Sequence, residues 1–160
     1  MFGRRHFLWS TAVAIAAATT AGCGGDSDDS PTEPTPPAPE GPATMQITEM
    51  TVGEGAEAVA GSSVFIHYTL WRYEPSGADF KGAGIETSVG GNPLSVVVGS
   101  TNYITGLSQG ILGMRVGGKR RVILPPNLAY GSTGSRNSQG QLVIRPNEWL
   151  VFELELLSVA

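Results

Sequence analysis

The chain of 160 residues is 41% hydrophobic and 15% charged, which leaves room for one ordinary globular domain and excludes repeat arrays and two-domain enzymes. Its 10 Lys and Arg against 14 Asp and Glu give a net charge of −4, so the basic field that nucleic-acid binding requires is absent. One cysteine and two histidines rule out an intrachain disulfide framework and a zinc site of His and Cys; no metal or cofactor is expected.

Residues 1–22 read as an export signal: Arg4 and Arg5, an apolar run over 8–18 interrupted only by Ser10 and Thr11, then small residues. The run falls short of the about 20 apolar residues that cross a bilayer. Arg4-Arg5-His6-Phe7-Leu8 resembles the core of a twin-arginine signal. Thr20-Ala21-Gly22-Cys23 is similar to a bacterial lipobox, with Thr20 where Leu is usual. Cys23, the only cysteine, is therefore expected to carry lipid and to anchor an exported protein to a membrane, facing the periplasm or the cell exterior.

Residues 23–44 follow as a spacer. From residue 24 to 44 they hold six of the eleven prolines, five acids (Asp26, Asp28, Asp29, Glu33, Glu40) and no aromatic residue, too little apolar surface to fold. Proline keeps such a stretch extended, and trimming it is expected to leave the domain's activity intact. The acidic bias belongs to this tether: residues 45–160 carry nine acids against eight bases.

Those 116 residues suffice for one modest core. Val64, Ile66, Tyr68 and Leu70 alternate with Phe65, His67 and Thr69, the period-two pattern of a half-buried strand with His67 on the opposite face. Residues 96–98, 120–124 and 150–156 read likewise, the last with Glu153 and Glu155 on the solvent face. Between them Ile104, Leu107, Ile111 and Met114 recur near helical spacing among Gly106, Gly110 and Gly113. Each glycine costs a helix about 1 kcal/mol relative to Ala, so this helix is expected to be short and held by packing. The economical architecture is α+β, an antiparallel sheet closing over one helix.

Three motif matches fail. Gly106-Leu107-Ser108-Gln109-Gly110 fits a nucleophile elbow, but no histidine follows Ser108 to complete a triad. Residues 113–119 fit the start of a P-loop, but Arg120 stands where Ser or Thr must hold Mg²⁺, so they read as a turn entering a basic strand. Glu153 and Glu155 mimic a carboxylate pair, yet alternate with leucines as a solvent face does. His67 is the only domain residue that titrates near neutrality when unperturbed. Proton-shuttling chemistry is thereby disfavoured, and rotation about a peptide bond needs none.

The run Gly117-Gly118-Lys119-Arg120-Arg121-Val122-Ile123-Leu124-Pro125-Pro126-Asn127-Leu128-Ala129-Tyr130-Gly131 resembles the basic strand and Ala-Tyr-Gly of the FKBP-type peptidyl-prolyl isomerases. Ile104, Gly106, Gly110, Met114 and Gly117 keep the spacing of that family's helix; His67-Tyr68-Thr69 and residues 150–157 are similar to two of its strands. The likeness covers essentially all of residues 45–160. It implies a half-open antiparallel sheet wrapped around one short helix, with an apolar pocket for a proline side chain.

Carried over position by position, it implies catalytic roles for Tyr68 and Phe152 as pocket walls, Ile104 through its backbone N–H, Leu107 as the floor where Trp is frequent, and Tyr130 as a hydrogen-bond donor. Substrate contacts are implied for Ile85, Glu86, Leu94 and Tyr103, and for Val143 or Ile144 closing the far side of a flap. Ile85 and Leu94 stand where Phe is usual, and Tyr103 where Val is usual, so a wider, less aromatic pocket with weaker activity is expected. The segments 73–84 and 132–145 read as extended loops.

The implied function is cis-trans isomerisation of Xaa-Pro bonds in exported proteins by a monomer, with macrolides such as rapamycin as weak ligands. Its rival is a non-catalytic peptide-binding or chaperone module on the same fold. An esterase using Ser108 is a third and weaker reading.

Overall fold

The computed structural model describes residues 37–160; the expected signal, Cys23 and most of the expected spacer lie outside them. Eight strands and one helix follow in chain order: β1 (Gln46–Thr51), β2 (Ser63–Tyr73), β3 (Lys81–Thr87), β4 (Leu94–Val97), α1 (Thr105–Ile111), β5 (Lys119–Leu124), β6 (Ser135–Arg136), β7 (Leu142–Ile144) and β8 (Leu150–Val159). The main sheet has the order β1-β5-β8-β2-β3, with β4 also on β2, and every pairing is antiparallel. β4 pairs with Ser63–Ile66 of β2, and β3 with its second half from Thr69, so the two lie end to end along one edge. This is the expected antiparallel sheet with a single short helix.

The alternation in β2 and β8 sets the core. Val64, Ile66, Leu70, Leu150, Leu154 and Leu156 are at most 2% exposed and face Leu107 and Ile111 of α1. Full burial of such side chains stabilises by about 1.5–3 kcal/mol each, which outweighs the helix-weakening glycines. Those glycines permit the contact: a Cβ at Gly106 would lie 2.6 Å from both methyls of Leu124. Arg120 faces inward from the basic strand, 7% exposed, and donates to the Gly110 and Leu112 carbonyls at 2.6 and 2.9 Å, so it caps the helix end.

Several sequence expectations change here. Segment 73–84 is not one loop, since a 3₁₀ turn at Ala78–Phe80 leads into β3. Segment 132–145 contains the β6–β7 hairpin. Glu153 is half-buried and paired with Lys81 and Arg121, and Glu155 pairs with Lys119, so the outer face of the sheet is a charge ladder rather than free solvent surface. Beside that ladder a second apolar cluster gathers Tyr73, Ile123 and Val151 against Trp71 and Trp149. Chain packing begins before residue 45: the Trp149 indole N–H donates to the Pro42 carbonyl at 3.1 Å, and a Cβ on Gly41 would meet the indole at 2.5 Å.

Candidate active site

The inner face of β2 and β8, the start of α1 and the chain after β5 enclose a cavity of about 230 Å³. Tyr68 comes from β2 and Phe152 from β8, where Leu70 pairs with Phe152 and Tyr68 with Leu154. The two aromatic side chains are therefore diagonal neighbours on one face, with ring centroids 6.2 Å apart and planes tilted by 40°. Leu107, 5% exposed, and Ile104 reach the cavity from α1 and its cap position, and Leu94 from the first residue of β4.

Polar groups also stand at this apolar site. Ile104 has extended backbone angles, φ −57° and ψ 140°, and its carbonyl accepts the Leu107 N–H at 3.1 Å. The Ile104 N–H makes no backbone hydrogen bond among the described residues. Tyr130 borders the cavity from the loop following the 3₁₀ turn at Pro126–Leu128. Glu86 borders it from β3, opposite Leu70 in the strand pairing. Burial first, and the neighbouring Glu86 carboxylate second, push the Tyr68 hydroxyl up to about 12. Burial and the same carboxylate raise Tyr130 as well. Both phenols are thus neutral donors at any ordinary pH.

Of the site residues expected from sequence, Tyr68, Glu86, Leu94, Tyr103, Ile104, Leu107, Tyr130 and Phe152 meet around this cavity. Ile85, Val143 and Ile144 do not border it. Glu86, paired with Leu70, takes the cavity position, whereas Ile85 is the extra residue where the β2–β3 register shifts and packs half-buried against the core beside the cavity. Ile144 is 3% exposed and part of the core itself. Val143 is half-buried, with its carbonyl accepting from Arg72 Nη2 at 2.6 Å. His67 faces the other side of the sheet, where Nδ1 lies 3.2 Å from Ser88 Oγ.

Two bordering residues escaped the sequence reading. Leu70 lies two residues after Tyr68 on the same strand face, a signal that was present but fitted a core role equally well. Asn102 is an exposed loop residue that nothing but its place beside Tyr103 marks.

Glu148 also went unnoticed. Its side chain is 1% exposed and pairs with Arg72 and with Arg145, whose backbone N–H it accepts at 2.7 Å. Burial opposes ionisation, but the Arg145 N–H and guanidinium and then Arg72 outweigh it and hold the carboxyl below the usual range. Arg72 bonds both Glu148 and the Val143 carbonyl, so one arginine ties β2, β7 and the entry to β8 together.

The arrangement suits an apolar ring flanked by carbonyl groups: carbon walls, a free backbone N–H and neutral phenols. Comparison with known proteins agrees. Residues 54–157 match the family described as FKBP-type peptidyl-prolyl cis-trans isomerase. The chain is 41% identical over 115 residues to the chloroplastic peptidyl-prolyl cis-trans isomerase FKBP16-4 of Arabidopsis thaliana, covering 69% of this chain and 46% of that protein. It is 35% identical to the FK506-binding protein of Streptomyces anulatus, covering 73% of this chain and 87% of the relative. The chain thus spans under half of the plant relative's length and most of the bacterial one's. The crystal structure of AtFKBP13 superposes with a TM-score of 0.60 at 32% identity, over 72% of this chain and 93% of that one. A peptidyl-prolyl cis-trans isomerase from Pseudomonas syringae pv. tomato gives 0.58 at 28% identity, over 72% and 75%. With its central motifs, its sheet and its cavity in agreement, the chain belongs to the FKBP-type peptidyl-prolyl cis-trans isomerase family.

Proposed function

We propose that the domain catalyses cis-trans isomerisation of Xaa-Pro bonds in exported polypeptides, with Tyr68 and Phe152 as the walls of the proline pocket. The observation that carries this reading is the free Ile104 N–H beside an apolar cavity that Tyr130 also borders. Amide resonance sets a rotational barrier of about 18–20 kcal/mol, and the planar amide is more charge-separated than the twisted one. Carbon walls stabilise the planar form less than water does and so favour twisting. Hydrogen bonds from the Ile104 N–H and the Tyr130 hydroxyl to the flanking carbonyls hold the chain while the bond turns. No proton changes place and no cofactor takes part.

The test is an isomerisation assay of the chain on Xaa-Pro peptides of varied Xaa, which is expected to show acceleration over the uncatalysed tens to hundreds of seconds. Binding without acceleration would hand the site to the peptide-binding or chaperone reading, which the aliphatic Leu94 and Leu107 favour. Loss of activity in Ser108→Ala, with a hydrolysed ester as product, would revive the esterase. FK506-type macrolides are expected to compete weakly, since two pocket positions are aliphatic.

The signal and Cys23 support export, by the twin-arginine or the general secretory route, and lipid anchoring of the domain. Cys23→Ala, or globomycin, is expected to block maturation and release the protein from membranes; unchanged membrane fractionation of Cys23→Ala overturns the anchor.

A further inference from the structure

We propose that a second cavity, on the far side of Tyr103 from the proline pocket, takes a tyrosine side chain of the polypeptide being isomerised. The proposal rests on the proline-pocket reading above. This second cavity, about 350 Å³, is the larger of the two, and none of the residues bordering it is charged. Val98, Leu112 and Tyr103 give it carbon surface; Thr105, Ser108 and Gln109 give it hydroxyl and amide groups.

Tyr103 borders both cavities, and its hydroxyl donates to the Ser95 carbonyl at 2.8 Å. That bond ties the side chain to β4 and keeps the ring as the partition. A polypeptide with proline in the first cavity that leaves across Tyr103 enters the second directly, so the occupant is a residue close to the proline in sequence.

Ser108 specifies the occupant's chemistry. It lies on α1, 7% exposed, and its Oγ is the one buried side-chain polar atom without a hydrogen-bond partner among the described residues. Unpaired buried hydroxyls are uncommon because desolvation goes uncompensated. Rotation of the serine between staggered wells turns Oγ toward an occupant. Tyrosine matches both requirements: a rigid ring for the carbon surface and a hydroxyl that donates and accepts. A lysine or glutamate is rejected, because no opposite charge waits in the cavity to offset its desolvation.

The experiment uses the full chain and eight-residue peptides with a single proline and alanine elsewhere, carrying Tyr, Phe, Lys or Ala two or three residues to either side of the proline. Tyr at one of these positions is expected to lower KM about fivefold against Ala with kcat unchanged, and Lys to give no gain. Ser108→Ala is expected to reduce the Tyr advantage to that of Phe. Leu112→Trp, at a position already 48% exposed and so tolerant of bulk, is expected to abolish both advantages. Equal KM for all peptides, or a Tyr advantage that survives both variants, overturns the proposal. If no peptide is turned over, the isomerase reading fails separately, and N-acetyltyrosinamide decides for the second cavity. Saturable amide shifts within residues 98–112, absent in Leu112→Trp, support it; no shift at millimolar probe overturns it.

Discussion

Tyr68 and Phe152 illustrate how much a single position decides in this pocket. Both belong to strands whose apolar alternation requires a large side chain, and only their diagonal juxtaposition turns a core face into a cavity wall. Tyr130→Phe removes one hydrogen bond to substrate and little packing, so kcat/KM is expected to fall about three- to tenfold, the range of one net hydrogen bond, with thermal stability nearly unchanged. Leu94→Phe restores an aromatic ring to the cavity and is expected to raise kcat/KM, whereas Ile85→Phe is expected to leave it nearly unchanged, because Ile85 does not border the cavity. Equal gains from both would place Ile85 back in the pocket. The pH profile follows from the same residues. With the Tyr68 hydroxyl at about 12 and Tyr130 raised as well, the rate is expected to stay flat from about pH 6 to 9, the side in which an ordinary phenol is still protonated. Above the unfolded tyrosine value of about 10 the unfolded chain loses the proton first, so stability is expected to fall as pH rises from there. Urea titrations at stepped pH measure this.

At the level of elements, two ties hold the site's frame. The first is the contact of α1 with β5 across Gly106. Replacing Gly106 by Ala gains about 1 kcal/mol of helix propensity, but places a Cβ 2.6 Å from Leu124 and 2.9 Å from the Leu128 carbonyl. Overpacking costs about 1–3 kcal/mol, so the net effect is expected to be destabilising, visible as a lower denaturant midpoint. The second is Glu148 with Arg72 and Arg145. Glu148→Gln leaves two guanidinium groups short of their buried carboxylate, and a loss of about 3–5 kcal/mol is expected, as for other broken buried pairs. The sign with pH is fixed by the depressed carboxyl: its stabilisation is complete above the unfolded carboxyl value and disappears as pH falls through the folded one. The wild-type chain is therefore expected to lose stability in acid more steeply than Glu148→Gln, and parallel acid titrations would refute the assignment. Because Arg72 also bonds the Val143 carbonyl, amide exchange in β7 is expected to accelerate in the same variant.

For the whole molecule, the tether and the domain do not part at residue 45. Gly41 and Pro42 pack on Trp149, which lies with the apolar cluster on the sheet face away from the cavity. A chain starting at residue 45 is expected to lose about 0.5–1.5 kcal/mol, the net worth of one hydrogen bond, and to show a red-shifted tryptophan emission. Its isomerase activity is expected to match that of a chain starting at residue 37. A several-fold loss of activity would mean that the contact reaches the cavity through the sheet.

Much of this was legible in the amino-acid sequence, and the reason is periodicity. The period-two runs around Val64–Leu70 and 150–156 and the spaced glycines of 104–117 determine one sheet and one short helix, because burial of one face is what those patterns serve. The absence of a histidine after Ser108 and of Ser or Thr at position 120 likewise removed hydrolase and nucleotide-binding readings from the order of residues alone. The edge strands were not legible: β1 is exposed at every position, and β3 has Ile85 as its one large apolar residue, so neither carries an apolar period. Placement of the pocket rim was not legible either. Whether Ile85 or Glu86 turns toward the cavity depends on the register of β3 against β2, which slips between Leu70 and Trp71. Glu148, Arg72 and Val143 come from three separate segments, 76 residues apart at the extremes, and only the folded chain makes them neighbours. Local pattern determines which face a residue buries; the partners across that face are chosen by long-range pairing, which no local pattern encodes.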